Sequence, residues 1–253
     1  MNENEAKLAR ICAWSAPLFF TLFGIGWALL GRMLPPYQAS MPAAELAKIY
    51  REHASTLRIG FSLAAFATTF SFVWIVGLFR IMVRIERGMI LSYILLIGGV
   101  LTAADLMFSC FFWLTAAFRP EQDPSLIQLL YDSGWLWLDL AFGVAMLYMI
   151  PFGVIALRDT RTEPLFPKWL AWIGIWVALE FLAELIMPYF RSGPFSWSGL
   201  FNFWIPFVVP AAWQVTVSWF MLKASRRLNE EYESELARAE QPELARAEQT
   251  AAG

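Results

Sequence analysis

Six stretches of this sequence, at 11–31, 59–79, 89–116, 136–157, 168–189 and 201–222, stay apolar for about 20 residues or more. That length crosses the hydrocarbon core of a bilayer as an α-helix, the form in which a chain satisfies its own backbone polar groups without water. The expected fold is therefore all-α, a polytopic bundle of six transmembrane spans over residues 1–227. A charged tail at 228–253 follows, expected to be disordered. It repeats Glu-Leu-Ala-Arg-Ala-Glu-Gln at 235–241 and 243–249, split by Pro242. With 58% hydrophobic and only 16% charged residues, no single water-soluble core could hide so much apolar surface. No small-residue cleavage site follows the first apolar run, so it reads as a retained helix.

Lysines and arginines near the span ends set the orientation. Lys7, Arg10, Arg80, Arg84, Arg87, Arg158, Arg161, Lys168, Lys223, Arg226 and Arg227 fall on one side. Arg32, Lys48, Arg51, Arg58, Arg119 and Arg191 fall on the other. The larger set marks the cytoplasmic side and puts both termini there. In the long first outward loop, Ala43 to His53 places Leu46, Ile49, Tyr50 and His53 on one helical face, which predicts a short amphipathic helix on the outer surface. Arginine followed closely by proline recurs at the outward ends, as Arg32 with Pro35, Arg119 with Pro120 and Arg191 with Pro194. Snorkelling cations and helix-stopping prolines account for it.

The fifth span, Trp169 to Tyr189, carries the strongest functional signal. It holds Glu180 and Glu184 one turn apart, and carboxyl groups at such depth are costly. Counting ~1.5 Å per residue from the inner anchors puts Glu180 about 18 Å and Glu184 about 24 Å beyond Lys168. The same count puts Asp105 about 27 Å from Arg87 and Asp139 about 28 Å from Arg158. Four carboxyl groups on three spans thus share one depth, expected in the outer half. Gly98, Thr102, Asp105 and Ser109 form a polar stripe on the third span, and Asp132, Trp135, Asp139 and Gly143 form one on the fourth. On the fifth, Trp172, Trp176, Glu180 and Glu184 recur every four residues. The sixth supplies Asn202, Trp204, Pro206, Pro210, Trp213 and Gln214, with the prolines expected to kink it and free carbonyl groups.

These residues predict an outward-opening pocket. Its ligand-binding set is Asp105, Asp139, Glu180, Glu184, Gln214, Trp135, Trp172 and Trp176, with Arg58, Arg119 and Arg191 at the mouth. Glu180 and Glu184 are the catalytic candidates, because two acids four residues apart repel unless they share a proton or a cation. The structural reading stands beside this one: single acids bonded to hydroxyls or outer arginines, and tryptophans as interfacial anchors.

Composition narrows the alternatives. A formal charge of −2, with the basic residues scattered at span ends, argues against nucleic acid as a partner. One histidine and two cysteines build no metal site or disulfide framework, so no metal and no cofactor is expected. The sequence holds no Walker loop, dinucleotide fingerprint, His-Glu-x-x-His or nucleophile elbow.

Three phrases, Glu52-His53-Ala54-Ser55-Thr56-Leu57-Arg58-Ile59-Gly60, Ala116-Ala117-Phe118-Arg119-Pro120, and Gly193-Pro194-Phe195-Ser196-Trp197-Ser198-Gly199 leading into Phe203-Trp204-Ile205-Pro206, resemble an uncharacterised group of bacterial six-helix inner-membrane proteins. The resemblance implies the bacterial inner membrane and a role for the outward loops. It brings no activity and assigns no catalytic residue.

Two functions fit the pattern. One is a protein that binds or transports a lipophilic small molecule, with the bilayer as its solvent and a homo-oligomer or a membrane complex as its setting. The other is a membrane enzyme that uses a protonated glutamic acid as general acid on a lipid-soluble substrate such as an isoprenoid. An accessory or scaffolding subunit is the third reading.

Overall fold

A computed structural model describes the backbone of residues 1–251 and the side chains of residues 1–239. Six helical segments are long and apolar enough to cross a membrane: Glu3–Leu30, Ala54–Met82, Ile90–Phe118, Pro124–Leu157, Lys168–Tyr189 and Leu200–Ala239. No strand occurs among the described residues. The chain is an integral membrane protein built as a six-span helical bundle.

Most spans are not uniform helices. The first is α1 (Glu3–Phe23), continued by a π-helical segment Gly24–Leu30. The amphipathic α2 (Ala43–Glu52) precedes the second span, which is α3 (Ala54–Ala67) and α4 (Thr69–Met82) joined at Thr68. The third is the single helix α5 (Ile90–Phe118). The fourth is α6 (Pro124–Leu140) and α7 (Phe142–Leu157), broken at Ala141. The fifth is α8 (Lys168–Glu180) tightened into a 3₁₀ segment Phe181–Tyr189, and the sixth is a π turn Leu200–Trp204 leading into α9 (Ile205–Ala251). The charged segment from residue 228, expected as a disordered tail, continues α9 to Ala251. Residues 252–253 lie outside the described residues.

Each span packs on the next in chain order, and the sixth returns to the first, which closes a ring. In the basic half α4 touches α1, α5, α7 and α9, so Trp74, Leu78 and Ile81 fill the middle of the ring. Trp74 Nε1 donates to Ser218 Oγ there (2.8 Å). The core accordingly divides in two. One apolar cluster gathers residues such as Ala13, Leu78, Phe152 and Val217 toward the basic end, and the other gathers Trp27, Phe61, Trp113 and Trp135 toward the opposite end. Glycine at position 98 lets α5 and α7 meet where the two clusters divide, since a Cβ there would stand 2.6 Å from the Leu147 backbone carbon.

The basic end is tied together by charge. Glu5 pairs with Arg80 (2.5 Å) and Arg84 (3.1 Å), and Arg161 pairs with the buried Asp159 (3.0 Å) while donating to the Arg84 carbonyl (3.1 Å). Arg227 donates to the Glu163 carbonyl (2.8 Å). At the opposite end α2 does not lie free on the membrane surface. Its Leu46, Ala47 and Tyr50 are buried, and it packs on α6, so its apolar face is covered by the protein itself. Trp197 Nε1 and the Tyr131 hydroxyl both donate to the Tyr37 carbonyl (2.9 and 3.2 Å), pinning the first outward loop over the bundle.

Candidate functional site

A cavity of about 240 Å³ lies between the two apolar clusters, and every span except the second contributes to its lining. Asp105 comes from α5, Asp139 from α6, Glu184 from the 3₁₀ segment and Gln214 from α9. Asp139 is 2% exposed and Glu184 4%. Phe19, Phe20 and Phe23 of α1, with Tyr148, Phe181 and Phe207, supply aromatic walls, and Pro206 and Pro210 line it from α9. Pro210 has no N–H for the Pro206 carbonyl four residues back, so that acceptor is left without its helical donor.

The carboxyl groups are not neutralised by basic partners. Among the described residues none of the ion pairs includes Asp105, Asp139, Glu180 or Glu184. Asp105 Oδ1 and Asp139 Oδ2 are buried without any hydrogen-bond partner. Glu184 lies within electrostatic range of Asp139 and Asp105, so the three acids act on one another as well as on the cavity. An unpartnered polar atom in a dry interior costs on the order of 1–3 kcal/mol. Two such atoms on adjacent helices mark a site where stability has been given up.

Irregular backbone gathers at the same layer. The first span turns from α to π just after Phe23, the fourth breaks at Ala141 two residues beyond Asp139, the fifth tightens at Glu180, and the sixth changes form at Trp204 just before Pro206. In a membrane such backbone is tolerated where it is buried in protein or lines a cavity, and discontinuous helices at mid-depth are the recurrent frame of transporter binding sites.

The structure separates residues that helical periodicity put together. Trp172 and Trp176 are 53% and 69% exposed on the outer surface of the bundle and build no cavity wall. Glu180 is half-buried, with both carboxyl oxygens covered and unpartnered, but it does not line the cavity. The cause is the change of helical form. Four residues turn a side chain about 40° past a full circle in an α-helix, but about 120° in a 3₁₀ helix. Glu184 therefore swings inward while Trp172, Trp176 and Glu180 keep to the other side. Trp135 is fully buried, yet in the aromatic cluster beyond the cavity. It stacks on Trp197 with centroids 6.3 Å apart and also packs against Trp113 and Trp27.

The proposed mouth also resolves differently. Arg191 lines a hollow of about 240 Å³ at the outward end, together with Asp132, Gln128 and Met187. Arg58 is exposed and bonded within its own helix to Ala54 O (3.2 Å), and Arg119 is exposed at the end of α5, so neither borders the cavity. Asn202 donates to Phe195 O, with its own Oδ1 buried and unpartnered, and Trp213 Nε1 donates to Leu170 O (3.1 Å); neither lines the cavity, and Trp204 faces outward. Gly143, expected on the polar stripe of the fourth span, is exposed because the break at Ala141 redirects α7.

Two of the lining acids stand near the middle of their spans, and Glu184 stands in the outward half of Lys168–Tyr189. Asp105 is one residue past the midpoint of α5, whose 29 residues run Ile90–Phe118, and Asp139 is near the middle of Pro124–Leu157. The apolar window of the fourth span began at 136, but Asp123 caps α6 by accepting from Ser125 N (2.8 Å), with Pro124 in the first turn. The helix thus starts well before its apolar part.

Fold and site together define a six-span membrane protein with a carboxyl-lined cavity at mid-depth. Comparison with protein-family models, with curated proteins and with solved structures finds no match.

Proposed function

We propose that this protein binds a lipophilic small molecule in the mid-depth cavity and carries it through the membrane. The observation that supports it most is the coincidence of three carboxyl groups from three spans with the level at which four spans change helical form. A purely structural set of acids would be bonded to hydroxyls or paired with arginines, and Asp105 and Asp139 each keep a buried oxygen with no partner. The hollow bounded by Asp132 and Arg191 supports an outward route. Leu136 and Met187 belong to it, while Asp139 and Glu184 lie a turn deeper on the same two spans. The bacterial inner membrane is the setting we propose, with the basic end in the cytoplasm.

The enzyme reading needs one glutamic acid, Glu180 or Glu184, beside aromatic rings; Glu184 lines the cavity, but Trp172 and Trp176 of the same span lie on the outer surface. A cavity of about 240 Å³ is also small for an isoprenoid chain. Solvent extraction of the purified protein followed by mass spectrometry tests the binding reading. Wild type should release a lipophilic molecule, and Ala145→Phe, which fills the lining, should release about tenfold less while remaining monodisperse. Equal recovery from both would place the molecule elsewhere.

A further inference from the structure

The lining of the central cavity constrains the charge of what enters it. We propose that the ligand is a small organic monocation of the alkylammonium class, bound in exchange for a proton held among Asp105, Asp139 and Glu184. This rests on the small-molecule reading given above and names its substrate class.

The groups facing the cavity are of one sign. Asp105 comes from the third span, Asp139 and Tyr148 from the fourth and Glu184 from the fifth. The first and sixth spans add no titratable or charged side chain, and Gln214 is the polar contribution of the sixth. Glu180 acts on Glu184 from outside the lining. Asp139, 2% exposed and with Oδ2 unpartnered, is a buried acceptor without a donor in the lining of the cavity. Mutual repulsion in so dry a place is relieved by a proton or by a bound positive charge, and both compete for the same oxygens.

The shape of the site decides between kinds of cation. Among the described residues no three acidic, histidine or cysteine side chains stand close enough together to hold a metal ion. The acids are instead spread around about 240 Å³, room for a small organic ion and not the tight cage of a bare metal ion. Phe19, Phe23, Phe181 and Phe207 bring aromatic rings to the same volume, and such rings attract alkylated ammonium groups. The exchange is balanced. One carboxyl O–H bond breaks, its proton leaves to water, and the carboxylate pairs with the incoming cation. No covalent bond forms to the ligand, and the net charge of the cavity is unchanged.

Isothermal titration calorimetry on the full-length protein in detergent tests this, with tetraethylammonium and the uncharged isostere in which carbon replaces its nitrogen. Running each titration in two buffers of different protonation heat counts the protons released. The cation should bind at least about tenfold tighter than the isostere and release about one proton, and Asp139→Asn should lose that release and bind the cation at least about tenfold more weakly. Equal affinity for the two, or binding of the isostere alone, would overturn the cation and leave the cavity as a neutral-ligand site. Cation binding without proton release would overturn the exchange. Failure of both compounds to bind would overturn the cavity reading along with it.

Discussion

Asp139 and Glu184 line the same cavity from the fourth and fifth spans, although Glu180, four residues before Glu184, does not reach it. The 3₁₀ segment Phe181–Tyr189 produces that separation, and it gives the two glutamates different consequences.

Glu184→Gln and Asp139→Asn should each lower affinity for the lipophilic molecule recovered from the wild-type protein by about tenfold or more, roughly 1.4 kcal/mol, in equilibrium binding. Glu180→Gln should stay within about threefold of wild type, because its carboxyl group is outside the lining. Equal losses at positions 180 and 184 would mean that the two side chains act as a pair.

Tryptophan substitutions should divide the same way. Trp172→Ala and Trp176→Ala remove exposed rings and should leave binding unchanged. Trp135→Ala empties a fully buried position in contact with Trp27, Trp113 and Trp197, and should cost about 3–5 kcal/mol in a denaturation series.

Two glycines of the polar stripes provide an internal contrast. Gly98→Ala would bring a Cβ within 2.6 Å of the Leu147 backbone and side chain, forcing α5 from α7 and lowering stability by about 1–3 kcal/mol. Gly143→Ala meets nothing within 4 Å and should be neutral or stabilising by up to about 1 kcal/mol, as helix propensity favours alanine. Thermal unfolding in detergent checks both.

At the basic end, Glu86 caps α5. Burial pushes its carboxyl group up, but hydrogen bonds from Ser92 Oγ (2.7 Å) and the N–H groups of Leu91 (2.9 Å) and Ser92 (2.8 Å), with the charge of Arg158, bring it below its ordinary value on balance. A carboxyl group whose folded pKa is lowered contributes stability that is complete above its unfolded value and is lost as the pH falls through the folded one. Glu86→Ala should therefore cost about 1 kcal/mol near neutral pH, and the gap from wild type should close as the pH falls below about 4. A gap independent of pH would show that the contribution is packing alone.

Much of the architecture was legible because apolar length is a direct consequence of the bilayer. The six spans, the amphipathic α2 and the convergence of Asp105, Asp139 and Gln214 follow from length, depth and polar stripes. What was not legible has a common cause. Periodicity assumes an unbroken α-helix, and the spans change form at the level of the site, so Trp172, Trp176 and Glu180 were assigned to the wrong face and Gly143 to the wrong stripe. Phe19, Phe20 and Phe23 gave no signal at all, since an aromatic ring in an apolar span looks the same whether it faces lipid or a cavity. Asp139 is nearer the middle of its span than the apolar stretch from 136 suggests, because α6 begins with polar residues, Gln128 and Asp132 among them, outside that stretch.

The most direct measurement is a double-mutant cycle of Asp139→Asn and Glu184→Gln, read as unfolding free energy in detergent. If the two carboxyl groups act on one cavity, the double variant should depart from the sum of the single changes by at least about 0.5 kcal/mol. Additivity within about 0.3 kcal/mol would contradict the shared cavity, because independent, distant sites behave that way.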